Sequence, residues 1–154
     1  MPAPSALEAL SVRFGARAFA AGADVPVERL VEAARHLRDA LGYRYYVCAS
    51  ATDRGEAGFE VVHGVRNVET RDTFFLKTAI AREGAVVPSL ALVWAGAEWH
   101  EREILDLFGL TFANHPDPRR ILMPDEYPGH PLRKEFPMDT PWGYRPATLP
   151  QGGA

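Results

Sequence analysis

Proline is spread so unevenly along this chain that it separates two kinds of polypeptide. Four prolines fall in the first 115 residues (Pro2, Pro4, Pro26, Pro88), and nine lie between Pro116 and Pro150. Proline has no amide hydrogen and a fixed φ, so the last quarter can hold neither a long helix nor a central strand. The first three quarters can hold both. This division predicts a folded core over residues 1–110 and an extended, irregular C-terminal segment over 111–154.

Within the first part, apolar spacing predicts the elements. Residues 5–19 form a weak, alanine-rich helix candidate. Residues 27–41 form a stronger one, with Val27, Leu30, Val31, Ala34, Leu37 and Leu41 on one face and Gly42 beyond the end. Runs at 43–49, 59–68 and 73–80 are β-branched and aromatic, separated by turns at Asp53-Arg54-Gly55 and around Asn67, so they predict an antiparallel meander. A fourth strand is expected over 86–94, with Pro88 at its start or on an edge. Residues 98–108 predict a short helix stopped by Gly109, with Glu98/Arg102 and Arg102/Asp106 as i,i+4 ion pairs. Further turns are expected at Asn114-His115-Pro116-Asp117 and Pro128-Gly129. The fold class that follows is α+β: two layers, a mostly antiparallel sheet with helices on one face, and an extended proline-rich C-terminal tail.

Several functions are disfavoured at once. A net charge of −3 offers no footprint for nucleic acid or an anionic membrane surface. The longest uncharged stretch, 84–97, contains Pro88 and falls short of the roughly 20 apolar residues needed to cross a bilayer. Met1-Pro-Ala-Pro lacks the basic and apolar regions of a signal peptide. A single cysteine, Cys48, excludes an internal disulfide and an all-cysteine cluster built by this chain alone. It reads as a small core residue in a strand. The expectation is a soluble intracellular protein with no cluster of its own.

Catalytic signatures are missing too. There is no dinucleotide-binding, phosphate-loop or serine-elbow motif. His100-Glu101-Arg102-Glu103-Ile104 begins like a zinc-protease helix but has Ile104 where the second histidine belongs. His63, His100, His115 and His130 could meet at a metal only through the fold, which leaves a His-ligated, metal-dependent hydrolase as a distant alternative. Glu101 and Glu103, two residues apart on a helix, point roughly 200° apart, so one should face the protein or a partner and the other solvent.

What remains is a dense string after Trp99 that mixes turns, arginines and single apolar anchors. Such a segment suits docking, on another surface or back over its own domain. Here the sequence resembles a known family. Glu101-Arg102-Glu103, then Asp106, Leu107, Phe108, His115, Arg119, Ile121-Leu122 and Pro124, at these spacings, resemble the signature of the C subunit of proton-pumping NADH–quinone oxidoreductase, respiratory complex I. Gly129-His130-Pro131-Leu132-Arg133-Lys134-Glu135-Phe136-Pro137 is similar to the family's next block. Glu98 and Asn114 depart from commoner residues at their positions without breaking the pattern.

The resemblance implies a cofactor-free structural subunit of the peripheral arm, with FMN and iron–sulfur clusters in partner subunits. It implies docking of the tail on the quinone-site (D) subunit, which is hydrogenase-large-subunit-like, and on cluster-bearing neighbours. The chain would sit on the cytoplasmic face of the energy-transducing membrane and reach the membrane only through the complex. Glu101, Arg102, Glu103, Asp106, His115, Arg119, Arg120, His130, Arg133 and Lys134 would be signature and partner-interface positions, none catalytic. Equivalent subunits of ferredoxin-dependent photosynthetic complexes and of membrane-bound [NiFe]-hydrogenases share the pattern, which leaves the electron donor open.

Overall fold

The computed structural model describes residues 5–137; the N-terminal Met1–Pro4 and the expected tail beyond residue 137 lie outside the described part. The chain runs α1 (Ala6–Phe14), β1 (Arg17–Phe19), β2 (Gly22–Asp24), a 3-10 turn, α2 (Leu30–Asp39), β3 (Tyr45–Asp53), β4 (Phe59–Arg66), β5 (Thr73–Ile80), β6 (Val86–Pro88), α3 (Ala97–Phe108) and β7 (Thr111–Ala113). Five strands form one sheet in the order β1-β2-β5-β4-β3, in which only the β2–β5 pair is parallel. The α+β class therefore holds, with a mixed, mostly antiparallel sheet.

Period-two alternation builds the core from the sheet side. Phe59, Val61, His63 and Val65 of β4 and Leu76, Thr78 and Ile80 of β5 are buried. The apolar members pack in one cluster with Leu10 and Phe14 of α1, Leu30 and Leu37 of α2, and Ile104 and Phe108 of α3.

Three expectations need correcting. The helix placed over 5–19 ends at Phe14, because Gly15 turns left-handed at φ 66°, and Arg17–Phe19 then becomes an edge strand. The start of the 27–41 helix is a 3-10 turn over Val27–Arg29, following Pro26. The fourth strand survives only as Val86–Pro88, which pairs in parallel with β7 in a separate two-stranded sheet. Beyond Pro88 the backbone finds other partners. Leu90 donates its amide to Glu101, the Val93 and Trp94 amides turn back to the Leu90 carbonyl, and the Val93 carbonyl accepts from Arg38 at 2.6 Å. With those groups satisfied by side chains and a tight turn, no ladder is needed.

Among the described residues, no helix is long and apolar enough to cross a membrane.

Candidate functional site

Helix α3 organises the residues singled out above, and its turn geometry decides where each goes. Glu101 faces inward and is fully buried, whereas Glu103 faces solvent, as the 200° separation requires. The i,i+4 ion pairs expected along the helix do not form. Arg102 instead donates to the carbonyls of Arg119 and Arg120, each at 3.0 Å, with Asp117 3.5 Å away. Asp106 accepts from the Arg120 guanidinium at 2.8 Å and from three successive amides, those of Ile121, Leu122 and Met123, at 3.1, 2.8 and 2.8 Å. Four donors converging on one carboxylate outweigh a single neighbouring arginine.

This carboxylate is completely buried, which by itself would raise its pKa. The three amides and Arg120 more than offset that and hold it below the ordinary value, so Asp106 stays charged.

The end of α3 is closed by the tail. The last four carbonyls of a helix have no partner within it. Here Leu105 accepts from the Gly109 amide, Asp106 from His130 Nδ1 at 2.8 Å, Leu107 from the Leu132 amide at 3.0 Å and Phe108 from Arg133 Nε at 2.6 Å. A second Arg133 nitrogen reaches the Gly109 carbonyl at 3.2 Å. Because a carbonyl only accepts, His130 must carry its proton on Nδ1. The Gly-His-Pro-Leu-Arg block thus acts as a C-terminal cap supplied from about 25 residues downstream, and it places a cation at the negative end of the helix dipole.

Gly109 makes this fit possible. It sits at φ 68°, and a Cβ there would lie 2.4 Å from the His130 ring and 2.9 Å from Arg133. Gly109→Ala is therefore expected to cost about 1–3 kcal/mol, through the left-handed backbone and the clash together. Limited proteolysis would reveal it as new cleavage within 124–137, while β4 and β5 stay intact.

The segment starts and ends on fixed points. His115 accepts the Asp117 amide on Nδ1 and donates from Nε2 to the Glu98 carbonyl at 3.1 Å, with Glu101 3.8 Å away. Both ring nitrogens are thereby used. At the far end, the Lys134 amide donates to Asp53 at 2.9 Å, Arg82 bridges Asp53 and Glu135, and burial of Asp53 is outweighed so that its pKa falls to about 2. Nothing in the sequence singles out Asp53 or Arg82, since Asp53 reads there as a turn residue.

A second buried polar group lies under the helix. Glu101 accepts from Ser89 Oγ at 2.5 Å and the Leu90 amide at 2.7 Å, yet burial dominates and lifts its carboxyl to about 7. Across the sheet, Tyr46 bonds His63 Nδ1 at 2.7 Å, and burial followed by the nearby His100 pushes His63 down to about 3. Among the described residues, no group of three or more His, Cys, Asp or Glu side chains is arranged to hold a metal. His100, His115 and His130 are not brought to a common point.

Of the positions named from sequence, Arg102, Asp106, His115, Arg120, His130 and Arg133 thus build one internal lock, and Glu101 is tied beneath it to Ser89 and the Leu90 amide. The Arg119 side chain pairs with Asp117, and Glu103 and the Lys134 side chain are exposed, with no ion pair among the described residues.

The lock falls within a stretch shared with known proteins. Residues 23–141 match the family model described as respiratory-chain NADH dehydrogenase, 30 kDa subunit. The chain belongs to this family. Its relatives include the NADH-quinone oxidoreductase C subunit of Geobacter metallireducens, 38% identical over 117 residues, covering 74% of this chain and 72% of that one. The same-named subunit of Roseiflexus castenholzii is 42% identical over 115 residues, covering 72% and 66%. That of Salinispora tropica is 36% identical over 129 residues, covering 80% of this chain but only 53% of its own. Among solved structures, a trypsin-resistant fragment of Nqo5 superposes with a TM-score of 0.61 at 25% identity, over 71% of this chain and 93% of the fragment. A chain of the membrane-bound sulfane sulfur reductase, an archaeal respiratory membrane complex, shares the fold at a TM-score of 0.72 and 22% identity, over 85% of this chain and 82% of that one.

Proposed function

We propose that this chain is a cofactor-free structural and assembly subunit in the peripheral arm of NADH–quinone oxidoreductase, supporting electron transfer from NADH to quinone coupled to proton translocation. The observation that carries this reading is the use made of the family's signature residues. Asp106, Arg102, His130 and Arg133 spend their hydrogen bonds fixing the path of residues 114–137 across α3. Such an arrangement prepares a shape. Pre-ordering the segment lowers the entropy lost when it meets a partner.

The partners in this reading are the quinone-site subunit and the cluster-bearing subunits around it, which hold the FMN and iron–sulfur groups. The chain sits on the cytoplasmic face of the membrane, reached through the complex. Glu103, Arg119 and Lys134 point outward toward those neighbours.

The test separates assembly from chemistry. Arg133→Ala is expected to lower the amount of assembled complex several-fold while leaving NADH–quinone turnover per assembled complex unchanged. Full assembly with selective loss of turnover would contradict the scaffold role. Mild-detergent purification of the tagged wild-type chain from native membranes identifies the electron donor. Flavin- and cluster-bearing subunits with NADH activity support the reading; a [NiFe] centre or a ferredoxin-dependent assembly would replace the donor.

A further inference from the structure

We propose that the outer ridge of α3, with the tail laid beside it, docks on a partner subunit through an apolar cleft rimmed by basic side chains, lysine among them. This inference rests on the scaffold reading above and names the surface and chemistry through which it works.

Among the described residues, three of the nine large apolar side chains left exposed belong to this one unit: Trp99, Leu122 and Leu132, at 61%, 59% and 50% exposure. Their backbones are tied to one frame. Trp99 is in the first turns of α3, the Leu122 amide is held by Asp106, and the Leu132 amide is held by the Leu107 carbonyl. Trp99 is also held from the side, because the Arg102 guanidinium lies 5.3 Å from its ring centre while bonded to the tail's carbonyls. An exposed indole braced in this way has little entropy left to lose, which is the character of an interface anchor.

Charge decides the kind of partner. The cations of this unit are nearly all engaged internally: Arg102 by carbonyls and Asp117, Arg119 by Asp117, Arg120 by Asp106 and the Gly129 carbonyl, Arg133 by the helix end. The acids are not. Glu103, one turn beyond Trp99, and Asp125 and Glu126 in the tail are exposed and form no ion pair among the described residues. Asp125 still feels Arg119, but Glu103, Asp125 and Glu126 outnumber the one unengaged cation among the described residues of this unit, Lys134. The ridge therefore presents apolar anchors flanked by an excess of negative charge, and a basic rim is its complement.

The experiment uses the full tagged chain expressed in its native membranes in place of the wild type. Glu103→Lys and Trp99→Ala are each expected to lower co-purified flavin- and cluster-bearing subunits at least tenfold. Val12→Ala, at a site 91% exposed on α1, should match the wild type. Zero-length carbodiimide coupling of the wild-type assembly should join Glu103, Asp125 or Glu126 to a lysine of a partner subunit, a readout that does not depend on variant folding. Wild-type recovery by both variants, or coupling that maps to other carboxylates only, overturns the docking surface and leaves the scaffold reading standing. If the wild-type chain recovers no such subunits, both fall.

Discussion

Asp106→Ala is expected to release the tail while leaving the sheet folded. The substitution strands the amides of Ile121, Leu122 and Met123 and leaves Arg120 with only the Gly129 carbonyl. Removing one partner from a buried charge network costs about 3–5 kcal/mol, because the groups left behind have already lost their water. At about 1.4 kcal/mol per decade, hydrogen exchange of those three amides should accelerate by about two to three and a half orders of magnitude. Amides of β4 and β5 should keep their protection. Asp106→Asn is expected to fall between, since one oxygen can still accept while the new NH2 group meets donors. Unchanged exchange at 121–123 in the alanine variant would mean that packing alone holds the tail.

The large effect explains why this site is only half legible in the sequence. That Glu101 and Glu103 face opposite ways follows from helix geometry, and it holds. The partners of Arg102 and Asp106 do not follow, because i,i+4 spacing offers each residue a local neighbour and says nothing of a chain returning about 15 residues later. Local pairs at a surface contribute a few tenths of a kcal/mol, and a converging set of backbone donors outweighs them. The fold divides along the same line. Thr73–Ile80 is readable to the residue, since its alternation is local and regular. Arg17–Phe19 and Gly22–Asp24 are three residues each, too short to show a period. Their place is fixed by the parallel pairing of β2 with β5 across about 50 residues of chain. Gly22 carries the trace of that pairing: a Cβ there would lie 1.9 Å from the Phe75 carbonyl oxygen.

The buried pair Glu101 and His63 should give this chain a stability plateau in weak acid that each residue alone would tilt. Native Glu101 keeps its proton up to about pH 7, whereas the unfolded carboxyl loses it near 4.5. The folded state therefore binds more protons between those values, and stability falls as pH rises through that window, by about 3 kcal/mol in all. His63 works the other way. Unfolded, it takes a proton below 6.5; folded, only below about 3, so stability rises with pH across that range, by about 5 kcal/mol. Between about pH 4.5 and 6.5 the two slopes oppose and nearly cancel. Below that, His63 and the depressed Asp53 both withdraw stability as acid is added. Glu101→Gln should uncover the His63 slope, so that urea unfolding free energy climbs steadily from pH 4.5 to 6.5. His63→Asn keeps an acceptor for Tyr46 and should uncover the opposite slope, with stability falling from pH 4.5 to 7. The slope is the diagnostic, since each substitution also shifts the whole curve through lost packing or hydrogen bonds. Profiles parallel to the wild type in both variants would mean that water reaches these groups in the folded chain and that neither is held away from its ordinary titration.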